Sequence, residues 1–517
     1  METAAPLIAV AVPILGAALI ALSRGRPPLR DALSVGTAAL QVVVLLTLAP
    51  AILAGQAVEL TLLAFLPQVA IAFRVDALGY LFATTASFLW LLTATYAVGY
   101  LRAMGERHLA RFHSFLALAL AATVAVAFSA NLVTMYLFYE ALTLATYPLV
   151  THHGDEASAT AGRRYLAYHF GTSIAFLLPA VILTYLLSGT FAFTRGGVFP
   201  AGTDVVAQVV AYVLFLAGIA KAAMVPFHAW LPSAMVAPTP VSALLHAVAV
   251  VNAGVFCVLR VMLDVFGPAR LAELHLGVGT AVAASVTILF ASFAALRMEQ
   301  LKAVLAYSTI AQLSYMILGA ALLVPSGTIG GIVHLANHSF AKITLFFAAG
   351  ALLVVSGRTR IADLGGLGPR SPWIMGPFVI GALGVVGVPP TGGFITKWYL
   401  VVGSLQAGQL AVLAVLALST LLTALYYLRV VRIAFFRPAE PPEPPPAGAA
   451  RALAEAEHER EPVPADVWAS AEAEHVRERP AALPLSMQAP LVIAAALSLA
   501  FGLYPAFLLQ LAGLVAR

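Results

Sequence analysis

Apolar runs long enough to cross a bilayer recur along nearly all of this 517-residue chain, and no other feature constrains its fold as strongly. They fall near 5–23, 32–54, 77–100, 113–129, 131–150, 165–187, 205–226, 241–264, 274–296, 301–322, 328–355, 374–404, 409–435 and 487–512, about fourteen spans at roughly 20 residues each. Backbone polar groups in lipid must be satisfied within their own segment, so such runs are helices and the fold class is all-α, a polytopic membrane protein. The composition agrees: 61% of residues are hydrophobic and 10% charged, against an apolar share of ~45–50% in soluble domains. Positive charges follow the run Ala5–Leu22 instead of preceding it, so it reads as a retained span and not as a signal peptide.

The net charge of +5 would suit a nucleic-acid partner in a soluble protein. Here the arginines sit in loops, with no basic patch interleaved with aromatics, so they report topology instead. Arg24, Arg102, Arg163, Arg297 and Arg358 are among those following odd-numbered spans, whereas only Arg74, Arg195 and Arg270 follow even ones. The positive-inside rule then puts both termini outside, in what would be a prokaryotic plasma membrane. A single cysteine, Cys257, excludes an internal disulfide and a cysteine-held metal or cluster. No cofactor site and no intrinsic catalysis are expected.

Two spans are interrupted. The seventh runs into Pro226, and the twelfth contains Gly387-Val388-Pro389-Pro390-Thr391-Gly392-Gly393. Broken membrane helices line cavities. Spans four to eight and nine to thirteen then form two five-helix units, each with its broken helix fourth, and an odd helix number makes them inverted repeats. The expected organisation is an N-terminal segment at 1–112, repeats at 113–264 and 274–435, a Pro-rich charged insert at 438–483 and a last span within 487–517. AEAEHERE and AEAEHVRE in the insert suit either short surface helices or a solvated linker.

All four lysines, Lys221, Lys302, Lys342 and Lys397, lie in or at the ends of apolar runs, while the other 24 of the 28 basic residues are arginines. Arg stays charged in essentially any protein setting, whereas a desolvated Lys can release its proton. Charge at mid-membrane is costly and marks pairing, internal water or function. Glu140 is the fifth span's only carboxylate and the natural counter-charge for Lys221. His334, His338 and Lys342 are spaced i, i+4, i+8 and form one stripe on a helix face, a relay between the halves. No carboxylate or cysteine near them completes a metal shell. His246, on the eighth span, reads as a core histidine or a further relay. Lys302 begins the tenth span as an anchor or a channel residue. The loop residues His152, His153, Asp155 and Glu156 read as a solvated turn or a proton-collecting cluster.

Several segments resemble the antiporter-like subunits of respiratory complex I, Mrp-type cation/proton antiporters, membrane-bound hydrogenases and inorganic-carbon accumulation complexes. They are FYEALTLATYPLV (138–150), FHAWLPSAMVAPTPVSALLHAVAVVNAG (227–254), LKAVLAYSTIAQLSYMILG (301–319), HLANHSFAKITLFFAAG (334–350) and GVPPTGGFITKWYL (387–400). The resemblance implies fourteen helices with two inverted five-helix repeats. It also implies a proton path using Glu140, Lys221, Lys302, His334, His338 and Lys397. The expected function is a proton-translocating subunit, most like the D-type member of Mrp antiporters, beside other membrane subunits and with sodium or potassium as a further ion. The alternative is the membrane subunit of a quinone- or hydrogenase-linked relative of complex I, or of an inorganic-carbon complex. Asn252 departs from members with an eighth-span lysine there, which moves that duty to His246.

Overall fold

The structure is a computed structural model that describes residues 2–66, 69–438 and 482–516. The insert at 438–483 therefore lies outside the described residues apart from its ends. Among the described residues, eleven helices are long and apolar enough to cross a membrane. The remaining three expected spans are the seventh and twelfth, which are broken into shorter pieces, and the fifth, Leu132–Val150. Its deficit in hydropathy comes from polar residues that include Glu140, so the spans that depart from the apolar norm hold Glu140, Lys221 and Lys397.

Several helix starts are set by capping. Asp76, Asn131, Asp155 and Asp204 accept backbone N–H bonds from Gly79, Thr134, Ser158 and Ala207 at 2.7–2.9 Å, satisfying donors that a helix leaves orphaned. Asp155 is thus the cap of the sixth span, Glu156–Ser188, which begins nine residues before the apolar run suggests. Arg163 and Arg164 lie within that helix and not in a loop.

Burial sorts the spans into two sets. The third (Ala77–Ala103), fourth (Leu109–Ala127), eighth (Thr239–Phe266), tenth (Leu301–Ala321) and eleventh (Pro325–Ser356) are mostly covered by protein, the eighth most of all. The first, second, sixth, ninth, thirteenth and fourteenth keep broad exposed apolar faces suited to lipid or neighbouring chains. The covered set carries His246, Lys302, His334, His338 and Lys342 of the candidate site.

Three features escape the reading of apolar runs. A β-hairpin pairs Val58–Leu66 with Val69–Val75, from Val58 opposite Val75 to Leu66 opposite Val69. It seals the junction of the fourth and fifth spans, where Arg74 N donates to Phe128 O (2.6 Å) and Ala130 N to Ala72 O (3.0 Å). The eighth span is not continuous: Thr239–Ala247 and Val250–Arg260 are separated at Val248 and Ala249, and a π-helical turn follows at Val261–Phe266. The last span also breaks, into Leu485–Leu503 and Ala506–Ala516 around Pro505.

Candidate functional site

The seventh span opens earlier than Pro226. Its helix, Val205–Gly218, ends before Lys221, which stands on a short 3₁₀ turn, Ala220–Ala222, inside the break. The reason is local packing. Gly218 lies against the Leu177 backbone, where any side chain would overlap, and Ala223 takes a left-handed φ of 53°. Trp230 then donates its Nε1–H to Ala220 O at 2.9 Å, satisfying a carbonyl freed by the break.

Lys221 is fully buried. Its Nζ donates to Thr143 Oγ1 (2.6 Å) and Tyr139 O (3.1 Å) and lies 3.3 Å from the centre of the Tyr139 ring. All these partners belong to the fifth span and flank Glu140. Among the described residues neither Glu140 oxygen makes a hydrogen bond to Lys221, which is within electrostatic range; the polar side chain nearest the carboxylate is Ser173 of the sixth span. The two therefore do not form the structural ion pair that would hold both charges fixed. A base and an acid are left close, each able to answer a change in the other's charge.

The eighth span connects the halves. Asn252 Nδ2 donates to Ser339 Oγ on the eleventh span at 2.7 Å. His246 belongs to the helix Thr239–Ala247, but its side chain lies outside the described residues.

His334, His338 and Lys342 are all buried on one helix, with the two imidazole centres 5.7 Å apart. His334 Nε2 meets Gln312 Oε1 at 3.0 Å, and among the described residues neither nitrogen of His338 has a partner. Lys342 Nζ donates to Leu305 O (3.1 Å) and the Tyr427 hydroxyl (3.2 Å). At the other end of the stripe, Tyr315 stands edge-on to His334 at 6.0 Å, and Lys397 Nζ lies 5.6 Å from the Tyr315 ring centre. Lys397 is half-buried but does not reach outward. It folds back to Val386 O, at the C-terminal end of the preceding half-helix, and to Thr420 Oγ1, both at 2.7 Å.

Lys302 is half-buried and donates to Ala237 O at 3.3 Å, tying the tenth span to the loop after the seventh. The loop histidines also find a definite place. His152 Nε2 and His153 Nε2 converge on Glu106 at 3.5 and 3.0 Å, while Asp155 is absorbed as a cap and Glu156 opens the sixth helix. Burial raises the Glu106 pKa, but the two histidines more than offset that and hold it at about 2. Among the described residues no three His, Cys, Asp or Glu side chains gather as a metal cage.

Two groups have no counterpart in the sequence reading. Arg260 forks onto Asp76 (2.6 Å twice) and Asp264 (2.8 Å), lining a cavity of about 270 Å³ at the hairpin end. The i, i+4 spacing of Arg260 and Asp264 inside an apolar run was the available signal. His169 of the sixth span is fully buried beside Trp230, and nothing in its sequence neighbourhood marked it.

Residues 129–423, more than half of the chain and the stretch that holds all four lysines and every histidine described above, match the transmembrane family described as NADH:quinone oxidoreductase/Mrp antiporter. The chain belongs to this family. It is 33% identical over 349 residues to NADH-quinone oxidoreductase subunit L of Mycobacterium tuberculosis, covering 66% of this chain and 53% of that one. It is 33% identical over 379 residues to the A-type component of the Na(+)/H(+) antiporter of Alkalihalophilus pseudofirmus, covering 69% and 46%. The chain thus spans about half the length of the curated relatives it matches. A chain of the Mrp complex from a Dietzia species superposes with a TM-score of 0.84 at 26% identity, covering 99% of this chain and 96% of that one. For Thermus thermophilus respiratory complex I the TM-score is 0.72 at 24% identity, with 97% and 98% covered, a likeness of fold. The antiporter-like membrane fold of this family member is therefore the frame in which the buried lysines stand.

Proposed function

We propose that this family member is a proton-translocating, antiporter-like subunit of a multisubunit membrane complex. The observation that carries the reading is the series of titratable side chains held within the spans, buried Lys221 beside half-buried Glu140, then buried Lys342, His338 and His334, and then half-buried Lys397. Each lysine ammonium of the series has only neutral acceptors on its hydrogen-bonding atoms. In a poorly screening interior, a proton arriving at one group alters the proton affinity of the next. Glu140 and Lys221 form the switch of the first repeat (113–264), His334, His338 and Lys342 bridge, and Lys397 serves the second (274–435). Lys302 and His246 belong to the same path. The partners are other membrane subunits, the exchanged ion sodium or potassium beside protons, and the site a prokaryotic plasma membrane with both termini outside.

The test is proton flux in proteoliposomes containing the whole complex, identified by the chains that co-purify with this one. Lys221→Ala and Glu140→Ala abolish flux while leaving assembly intact; flux at the wild-type level in both contradicts the path. Full transport by this chain purified alone would contradict the multisubunit part.

A further inference from the structure

Outside the series from Glu140 to Lys397, His169 is a buried titratable side chain that the path does not yet use. It is fully covered, and among the described residues neither ring nitrogen has a hydrogen-bond partner. A neutral imidazole always carries one N–H and one lone pair, and burying both unpaired is unfavourable. Its surroundings are rings, with Tyr165 and Trp230 each edge-on at 4.3 Å between centres. Such a site gains nothing from a histidine that only fills space.

Position supplies the reason. Trp230, against which His169 packs, is hydrogen-bonded to Ala220 O, next to Lys221, and Lys221 is the charged group within electrostatic range of the imidazole. Tyr165, one turn nearer the start of the sixth span, shares a 2.6 Å hydrogen bond with Thr146. Thr146 stands on the fifth span one turn beyond Thr143, the acceptor of the Lys221 Nζ proton. The fifth, sixth and seventh spans therefore meet around Lys221, with the imidazole on the side that leads toward the Asp155 end of the sixth span.

We propose that His169 is a proton-transfer residue serving Lys221 from that end, an inference that rests on the proton-translocation reading above. In the step, the N–H bond of the imidazolium breaks, and its proton forms the third N–H of the neutral Lys221 amine. The nitrogen left with the lone pair then takes a replacement proton, delivered as hydronium from the solvent, once the ring has turned over. Charge moves from one cation to the next with no net change.

The test uses the whole complex in proteoliposomes, with assembly checked by co-purification. His169→Ala lowers proton flux roughly tenfold or more, as loss of a general acid–base group does. Added imidazole restores it, whereas pyrazole, of the same shape but unprotonated at neutral pH, does not. His169→Gln, which fills the space and can hydrogen-bond but cannot titrate, shows the same loss and carries the test if the alanine variant fails to assemble. Wild-type flux in His169→Gln, or equal rescue by both azoles, overturns the inference. If His169 variants are unaffected while Lys221→Ala abolishes flux, only the role of His169 falls. If Lys221→Ala also retains flux, the path itself falls.

Discussion

Gly254 of the eighth span lies directly against the backbone of Lys221: a methyl group added there would overlap Lys221 and Ala222. The eighth span can approach the break this closely only because position 254 has no side chain. Gly254→Ala should therefore displace the 3₁₀ turn and pull Lys221 Nζ away from Thr143. The expected result is lower proton flux and a lower melting temperature, in line with about 1–3 kcal/mol for overpacking. Gly279→Ala on the ninth span, where a Cβ meets nothing within 4 Å, is the control. It should leave stability unchanged or raise it slightly.

Removing the Arg260 guanidinium would leave two carboxylates, Asp76 and Asp264, side by side and poorly solvated. Arg260→Ala should destabilise the protein by about 3–5 kcal/mol, as breaking a buried charge network does. Arg360→Ala removes a pair with Glu299 whose two side chains are 47% and 62% exposed and should cost at most about 1 kcal/mol. Thermal melts of the two variants check the contrast.

Glu106 carries a pH dependence. Its folded pKa of about 2 lies below the ordinary 4.5, so its contribution to stability is complete above that ordinary value and is lost as pH falls toward about 2. Glu106→Gln should be less stable than wild type at neutral pH, and the difference should shrink across this window. A difference that holds constant down to pH 2 contradicts the assignment.

His338 separates stability from function. Among the described residues neither ring nitrogen has a partner, so an apolar replacement of similar volume loses no hydrogen bond there. His338→Leu should assemble and melt within about 1 kcal/mol of wild type, yet fail to conduct protons. Melting and flux measured on the same preparation check this.

The membrane address of the lysines was legible because a cation inside an apolar run stands out from its neighbours. The i, i+4, i+8 stripe of His334, His338 and Lys342 was equally plain, since helix periodicity alone brings those positions together. The break at Lys221 was legible only in part. Pro226 signalled it, but the helix stops eight residues earlier, at Gly218, because of the close approach to Leu177. The interruption at Val248 and Ala249 carries neither Gly nor Pro, so no residue signal marked it. The hairpin at 58–75 hid because its second strand, VAIAFRV, is almost wholly apolar and shows little period-two alternation. His169 hid for a related reason: a lone histidine says nothing until the seventh-span break folds Trp230 against it.

The central claim is that Lys221 acts by changing its charge, and Lys221→Arg tests it most directly. Arginine keeps the positive charge and hydrogen-bond donors but does not release a proton. Proton flux through the assembled complex in proteoliposomes should therefore be abolished in Lys221→Arg as fully as in Lys221→Ala. Wild-type flux with arginine at this position would show that a fixed positive charge suffices and would contradict the account.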